Sequence, residues 1–210
     1  MWNIPNIITS FRITLIPVLV VFYYLPAVQY EWKYFATAFV FWFAAITDAL
    51  DGYLARKLDQ STPFGAFFDP VADKVMVAVA LVIVVDDYSN MWVTVPAAII
   101  IGREIAISAL REWMAEMGNR DYVAVSMVGK YKTAAQMLAV IGLLWHPNEF
   151  WVFEGWLLGP LLDFATYAFL YSATALTIWS LVIYFKAAWP FISGKKLNFK
   201  PYQLKFHQTD

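Results

Sequence analysis

The sequence predicts an all-α integral membrane protein with six transmembrane helices. Of the 210 residues, 61% are hydrophobic, whereas soluble domains contain about 45–50% apolar residues. Six apolar runs are each long enough to cross the hydrocarbon core as a helix, which takes about 20 residues. Basic residues collect at one set of helix ends and acidic residues at the other, as in membrane proteins with a fixed orientation.

The first three predicted spans are separated by short connections. The first span contains Arg12 near its start and Pro17 in its interior, and membrane helices tolerate proline where neighbouring groups satisfy the freed carbonyl. A short polar turn with Pro63 and Gly65 separates the second span from the third. The predicted bounds of these spans are residues 7–28, 34–56 and 65–86.

The last three predicted spans differ in where they carry charge. Arg103 lies deep in the fourth span, Lys130 and Lys132 lie near the start of the fifth, and lysines follow the sixth. The predicted bounds are residues 92–114, 124–145 and 163–186. One membrane domain is therefore expected over residues 1–186, with a basic cytoplasmic tail over residues 187–210.

The charge asymmetry predicts that both termini are cytoplasmic. Only Lys33 is basic among the residues that are expected to lie on the far side. The far-side loops instead carry Asp86, Asp87, Glu149 and Glu154. The basic residues on the side of the termini are Arg56, Lys57, Arg111, Arg120, Lys130, Lys132, Lys186, Lys195, Lys196, Lys200 and Lys205.

Four aspartates, Asp48, Asp51, Asp69 and Asp73, lie within the apolar runs. Each would cost roughly 2.5–3.5 kcal/mol near the bilayer centre, so the set needs compensation. The i,i+3 and i,i+4 spacings place each pair on one helix face, at the cytoplasmic ends of the second and third spans. Because oxygen-only ligands favour hard cations, we predict a site for two Mg²⁺ or Mn²⁺ ions, an arrangement suited to displacement at phosphorus.

Other functions fit this pattern less well. A cation transporter would place ionisable residues through the full membrane depth, whereas these aspartates cluster on one side. A purely structural role does not explain the acidic cluster. The absence of cysteine excludes thiolate nucleophiles, and the net charge of −1 does not favour a nucleic-acid partner. His146 and His207 are expected to be loop or tail residues.

The aspartates belong to a longer motif that resembles a family signature. The segment DALDGYLAR at residues 48–56, followed by GAFFDPVAD at residues 65–73, is similar to the DxxDGxxAR and GxxxDxxxD pattern of the CDP-alcohol phosphotransferases. All eight fixed positions match. The resemblance extends to NIPNIITSFRI, GREIAISALREWMAE and VGKYKTAAQM. It implies six helices around a cytoplasm-facing polar cavity, a homodimer and a bacterial inner-membrane location.

The resemblance also implies an activity and the residues responsible for it. The expected reaction transfers the phosphatidyl group of CDP-diacylglycerol to sn-glycerol 3-phosphate, while inositol phosphate, serine and phosphatidylglycerol are the alternative acceptors in the family. Asp48, Asp51 and Asp69 are implied metal ligands, and Asp73 is the implied general base and a further ligand. The residues implied at the CDP site are Gly52, Ala55, Arg56 and Gly65.

A phosphorylated acceptor requires further cations. We expect Arg103 and Arg111, with Lys130 or Lys132, to bind the acceptor phosphate. The two lysines point about 200° apart on a regular helix, so both need not face one pocket. In the alternative interpretation these residues are cytoplasmic anchors, which pair with Glu104, Glu112 or Glu116. Thr9 and Arg12 are weaker candidates for contact with the nucleotide.

Overall fold

A computed structural model shows six α-helices, one for each predicted span. It describes residues 4–26, 32–58, 63–118, 127–146 and 158–193. The all-α prediction is therefore confirmed for this part of the chain, and the basic tail predicted from residue 187 lies mostly outside it. The helices are α1 (Ile4–Tyr23), α2 (Lys33–Leu58), α3 (Pro63–Tyr88), α4 (Met91–Glu116), α5 (Met127–Trp145) and α6 (Leu158–Ile192).

Some helix ends differ from the predicted bounds by a few residues. Helix α1 ends at Tyr23, short of the predicted residue 28, because a residue that precedes proline disfavours helical angles and Leu25 precedes Pro26. Asn90 caps the start of α4, where its side-chain oxygen accepts a hydrogen bond from the Val93 N–H over 3.0 Å. Helix α6 continues to Ile192, past the predicted end at residue 186.

Large apolar side chains cover the outside of the bundle. Among the described residues, α4 and α6 are each long and apolar enough to cross a membrane. Trp92, Phe164 and Trp179 are 69%, 73% and 63% exposed. Extended exposed apolar surface on a soluble protein would promote association, whereas lipid tails solvate it. The outer surface therefore suits a bilayer.

The interior contains two apolar clusters that fix how the helices meet. In the larger cluster, side chains of α1, α2, α3 and α5 pack together with residues from α4 and α6, and Leu19, Phe41, Leu81 and Leu143 are at most 1% exposed. In the smaller cluster, α4 and α6 meet, with Met114 fully buried. Helix α1 packs against both α2 and α3, so Thr9 and Arg12 in its first half face the aspartate-bearing turns of these helices.

A second polar cluster lies at the other end of the bundle. Nε2 of His146 lies 3.3 Å from the Tyr23 hydroxyl and 3.0 Å from a carboxylate oxygen of Asp87. The imidazole also lies against the rings of Tyr34 and Tyr88, with centroids 4.5 and 4.8 Å away. His146 follows α5 immediately, in agreement with a loop position, but its side chain is only 10% exposed. These contacts join α1, α2, α3 and α5.

Candidate active site

Arg12 connects two of the aspartates that the sequence singles out. Its Nη1 lies 2.7 Å from Oδ1 of Asp48 and 2.8 Å from Oδ1 of Asp73. The arginine is 1% exposed, whereas the two carboxylates are 42% and 40% exposed. A buried guanidinium requires charged partners, and carboxylates from α2 and α3 supply them. Arg12 therefore provides part of the compensating positive charge that the sequence led us to expect from metal ions alone.

Thr9 contacts a third aspartate from the same face of α1. Its hydroxyl donates a hydrogen bond to Oδ1 of Asp69, and the threonine is fully buried. Thr9 and Arg12 are three residues apart, so both project from one side of the helix. The structure thus places these two weaker candidates against the aspartates. From their position on α1, Thr9 and Arg12 orient three carboxylates of α2 and α3.

Three of the four motif aspartates share one cavity. Asp48, Asp69 and Asp73 line a space of about 340 Å³. Gly65 is buried in the first turn of α3. Within the part of the chain that the structure describes, no three acidic or histidine side chains form a closed metal-ligating group. The remaining predicted positions lie on α2, but their side chains are outside the described residues: Asp51, Gly52, Ala55 and Arg56.

A second cavity contains the predicted acceptor-binding cations. Arg103, Arg111 and Lys132 line a space of about 440 Å³ together with Lys74. Four basic and two acidic side chains line it, so the walls carry a surplus of positive charge that suits a phosphate dianion. The side chain of Lys130 is outside the described residues, and the structure therefore places only Lys132 here.

Glu104 holds two of these cations in position. Nη1 of Arg103 lies 3.1 Å from Oε1 of Glu104, and Lys132 pairs with the same oxygen. Nη2 of Arg103 donates a hydrogen bond to the Ser180 hydroxyl over 2.8 Å, and its guanidinium lies 5.6 Å from the centre of the Tyr184 ring. Arg103 and Lys132 thus pair with Glu104, as the alternative interpretation expected, and both also line the cavity.

The acidic and basic cavities adjoin one another. Lys74, Glu104 and Lys132 line both of them. A molecule with a phosphate at one end can therefore reach the aspartates with the other. Sequence reasoning missed Lys74 and Gln136, which line the acidic cavity, although Lys74 directly follows Asp73 and Gln136 lies one helical turn beyond Lys132.

An apolar helical bundle with adjoining carboxylate-lined and cation-lined cavities defines a class of membrane enzymes that act on phosphorylated substrates. Comparison with known proteins narrows this class. The chain belongs to the CDP-alcohol phosphatidyltransferase family, whose profile matches residues 2–184, and the family resemblance is confirmed. Membership agrees with the apolar outer surface and supports an integral membrane all-α protein.

Several similar proteins carry one name, CDP-diacylglycerol–glycerol-3-phosphate 3-phosphatidyltransferase. The protein from Pseudomonas fluorescens is 56% identical over 199 residues, which cover 92% of this chain and 95% of the relative. Those from Salmonella choleraesuis and Escherichia coli are 53% and 52% identical over 187 residues, with 89% of this chain and 95% of each relative covered. The similarity extends over nearly the whole of both chains.

Proposed function

We propose that this protein transfers the phosphatidyl group of CDP-diacylglycerol to sn-glycerol 3-phosphate, with phosphatidylglycerophosphate and CMP as products. The observation that carries the proposal is the adjoining pair of cavities, one lined by the motif aspartates and the other by cations suited to a phosphate. The names of the similar proteins from three bacteria support the same reaction.

The reaction exchanges one phosphorus–oxygen bond for another. The primary hydroxyl oxygen of glycerol 3-phosphate bonds to the phosphatidyl phosphorus, and the bond from that phosphorus to the CMP oxygen breaks. The hydroxyl proton must leave as the new bond forms. Asp73 accepts it, since its carboxylate lines the acidic cavity beside the place that the hydroxyl would reach.

The residues present suit a divalent metal. Asp48, Asp51, Asp69 and Asp73 offer only carboxylate oxygens, the donors that Mg²⁺ and Mn²⁺ prefer, and three of them line one cavity. Two such ions, when bound, neutralise the diphosphate of the donor and the charge that develops on the departing CMP. Arg12 keeps Asp48 and Asp73 oriented through its two ion pairs.

The substrates enter from different phases. The CDP group of the lipid donor lies along Gly52, Ala55, Arg56 and Gly65, and its acyl chains remain in the bilayer. The soluble acceptor enters from the cytoplasm, and its phosphate binds Arg103, Arg111 and Lys132, with Lys130 as a further candidate. Since phosphoryl transfer depends mainly on positioning and charge, holding both substrates between the two cavities supplies most of the catalysis.

The orientation and assembly form part of the proposal. Six transmembrane helices surround the cavities, which open to the cytoplasm, and both termini are cytoplasmic. The support is the basic character of the connections on that side. The protein acts in the bacterial inner membrane as a homodimer, as the family resemblance implies. Proteolysis of inside-out and right-side-out vesicles would establish the side on which the termini lie.

An acceptor panel tests the function. Purified protein in detergent receives CDP-diacylglycerol, Mg²⁺ and one acceptor at a time, and CMP release is measured. We expect release with sn-glycerol 3-phosphate, loss of release with EDTA, and recovery with Mg²⁺ or Mn²⁺. Release only with inositol phosphate, serine or phosphatidylglycerol would replace the acceptor and retain the transfer chemistry. No release with any acceptor would refute the proposal.

A further inference from the structure

Gln136 is a buried polar side chain in the wall of the acidic cavity. It is 4% exposed, and it lines the space that Asp48, Asp69 and Asp73 also line. Its Oε1 atom is buried and makes no hydrogen bond within the described part of the chain. Buried polar groups are nearly always hydrogen-bonded in folded proteins, so an amide beside a substrate cavity is a candidate for hydrogen bonding to the substrate.

The position of Gln136 on α5 specifies which part of the acceptor it would meet. Lys132 and Gln136 are four residues apart and share a helix face. Lys132 lines both cavities, whereas Gln136 lines only the acidic one. One helical turn is about 5.4 Å, comparable with the distance from the phosphorus of glycerol 3-phosphate to its secondary hydroxyl oxygen in an extended conformation. If the phosphate binds at Lys132 and the reacting hydroxyl lies at the aspartates, the central carbon of the acceptor lies beside Gln136.

We propose that the side-chain amide of Gln136 binds the secondary hydroxyl of the acceptor, the one that does not react, and so selects a glycerol phosphate. This proposal rests on the proposed function. A primary amide both donates and accepts hydrogen bonds, as a hydroxyl does, so the two groups satisfy one another. A site built to bind a hydroxyl rejects an analogue that lacks it, because the buried polar group then has no partner.

Two acceptors that differ only in this hydroxyl test the proposal. The compounds are sn-glycerol 3-phosphate and 3-hydroxypropyl phosphate, which retains the phosphate and the primary hydroxyl. We expect wild-type kcat/KM to favour glycerol 3-phosphate by about tenfold or more. In Gln136→Met, which approximates the volume of the side chain and removes the amide, the preference should fall to within about threefold.

Thr177→Val is the matched control. Thr177 lies on α6, is fully buried, and its hydroxyl likewise makes no hydrogen bond among the described residues, but it lines neither cavity. It should retain the wild-type ratio, since the ratio responds to contact with the acceptor and not to general loss of stability. Gln136→Asn serves if the Met variant does not fold, because it keeps the amide but withdraws it by one methylene, and an intermediate ratio is expected.

The outcomes separate this proposal from the one on which it rests. A wild-type enzyme that uses both acceptors equally well, or a Gln136→Met or Gln136→Asn variant that keeps the full preference, would overturn the role of Gln136 alone. A wild-type enzyme that is inactive with both compounds would refute the proposed function, and the assignment of Gln136 with it.

Discussion

Nη1 of Arg12 on α1 lies 2.8 Å from Oδ1 of Asp73 on α3, and the same nitrogen lies 2.7 Å from Oδ1 of Asp48 on α2. One guanidinium thus joins three helices at the end of the bundle where the motif aspartates converge. Two carboxylates at such a short separation would repel one another without a cation between them. Arg12 therefore couples the stability of this end of the bundle to the geometry of the proposed active site.

Replacing Arg12 should impair both stability and activity. Removing one partner of a buried ion pair costs about 3–5 kcal/mol, but the carboxylates here are about 40% exposed, so we expect about 1–3 kcal/mol for Arg12→Met. Thermal unfolding in detergent measures this loss. Separately, kcat/KM should fall at least about tenfold, or about 1.4 kcal/mol of activation free energy, because Asp48 and Asp73 lose the ion pairs that orient them.

Lys33→Met is the matched control for Arg12. Lys33 is also a buried cation, at 9% exposure, but it lies over the Tyr34 ring at the far end of the bundle. It should lower the unfolding temperature without a specific loss of kcat/KM. An Arg12→Met protein with wild-type activity would contradict a role for Arg12 in orienting the aspartates.

Asp73→Asn should abolish most of the turnover and leave the fold intact. The amide is nearly isosteric with the carboxylate but cannot accept a proton, and general-base catalysis typically contributes about 10²–10⁴-fold. CMP release and size-exclusion behaviour in detergent provide the two measurements. Asp86→Asn is the control, since Asp86 accepts a hydrogen bond from Tyr24 at the opposite end and should not affect turnover. Wild-type rates in Asp73→Asn would exclude the proposed base.

Arg103→Met should weaken binding of the acceptor selectively. Charge-assisted hydrogen bonds to phosphate are the strong ones, so the KM for glycerol 3-phosphate should rise at least about tenfold, while the KM for CDP-diacylglycerol changes by less than about threefold. Ser180→Ala removes one hydrogen bond that positions Arg103 and should cause a smaller rise. If the KM for the nucleotide lipid rises instead, the assignment of the basic cavity is wrong.

Gly142→Ala should destabilise the contact between α5 and α6. A methyl group at residue 142 would overlap the side chain of Thr166, and overpacking of a core costs about 1–3 kcal/mol. At Gly102 on α4 a methyl group meets nothing within 4 Å, so Gly102→Ala should be neutral or stabilising by up to about 1 kcal/mol. Thermal unfolding compares the two, and equal unfolding temperatures would contradict the close approach at Gly142.

The amino-acid sequence was sufficient for the properties that depend on neighbouring residues. Apolar runs of helical length predicted one helix for each of the six spans, because a chain in lipid must satisfy its own backbone hydrogen bonds. Spacing along one helix face likewise predicted that Asp69 and Asp73 lie on the same side of α3, and both line one cavity. The motif at residues 48–73 identified the family.

Packing between distant helices decided the rest of the site. The pairing of Arg12 with Asp48 and Asp73 joins three helices, and local periodicity carries no information about which helix faces meet. For the same reason, the sequence did not show that Lys132 lines both cavities or that the buried amide oxygen of Gln136 has no hydrogen-bond partner among the described residues. Helix formation follows local hydrogen bonding and composition, whereas a site assembled from several helices depends on how side chains far apart in the chain fill one interior.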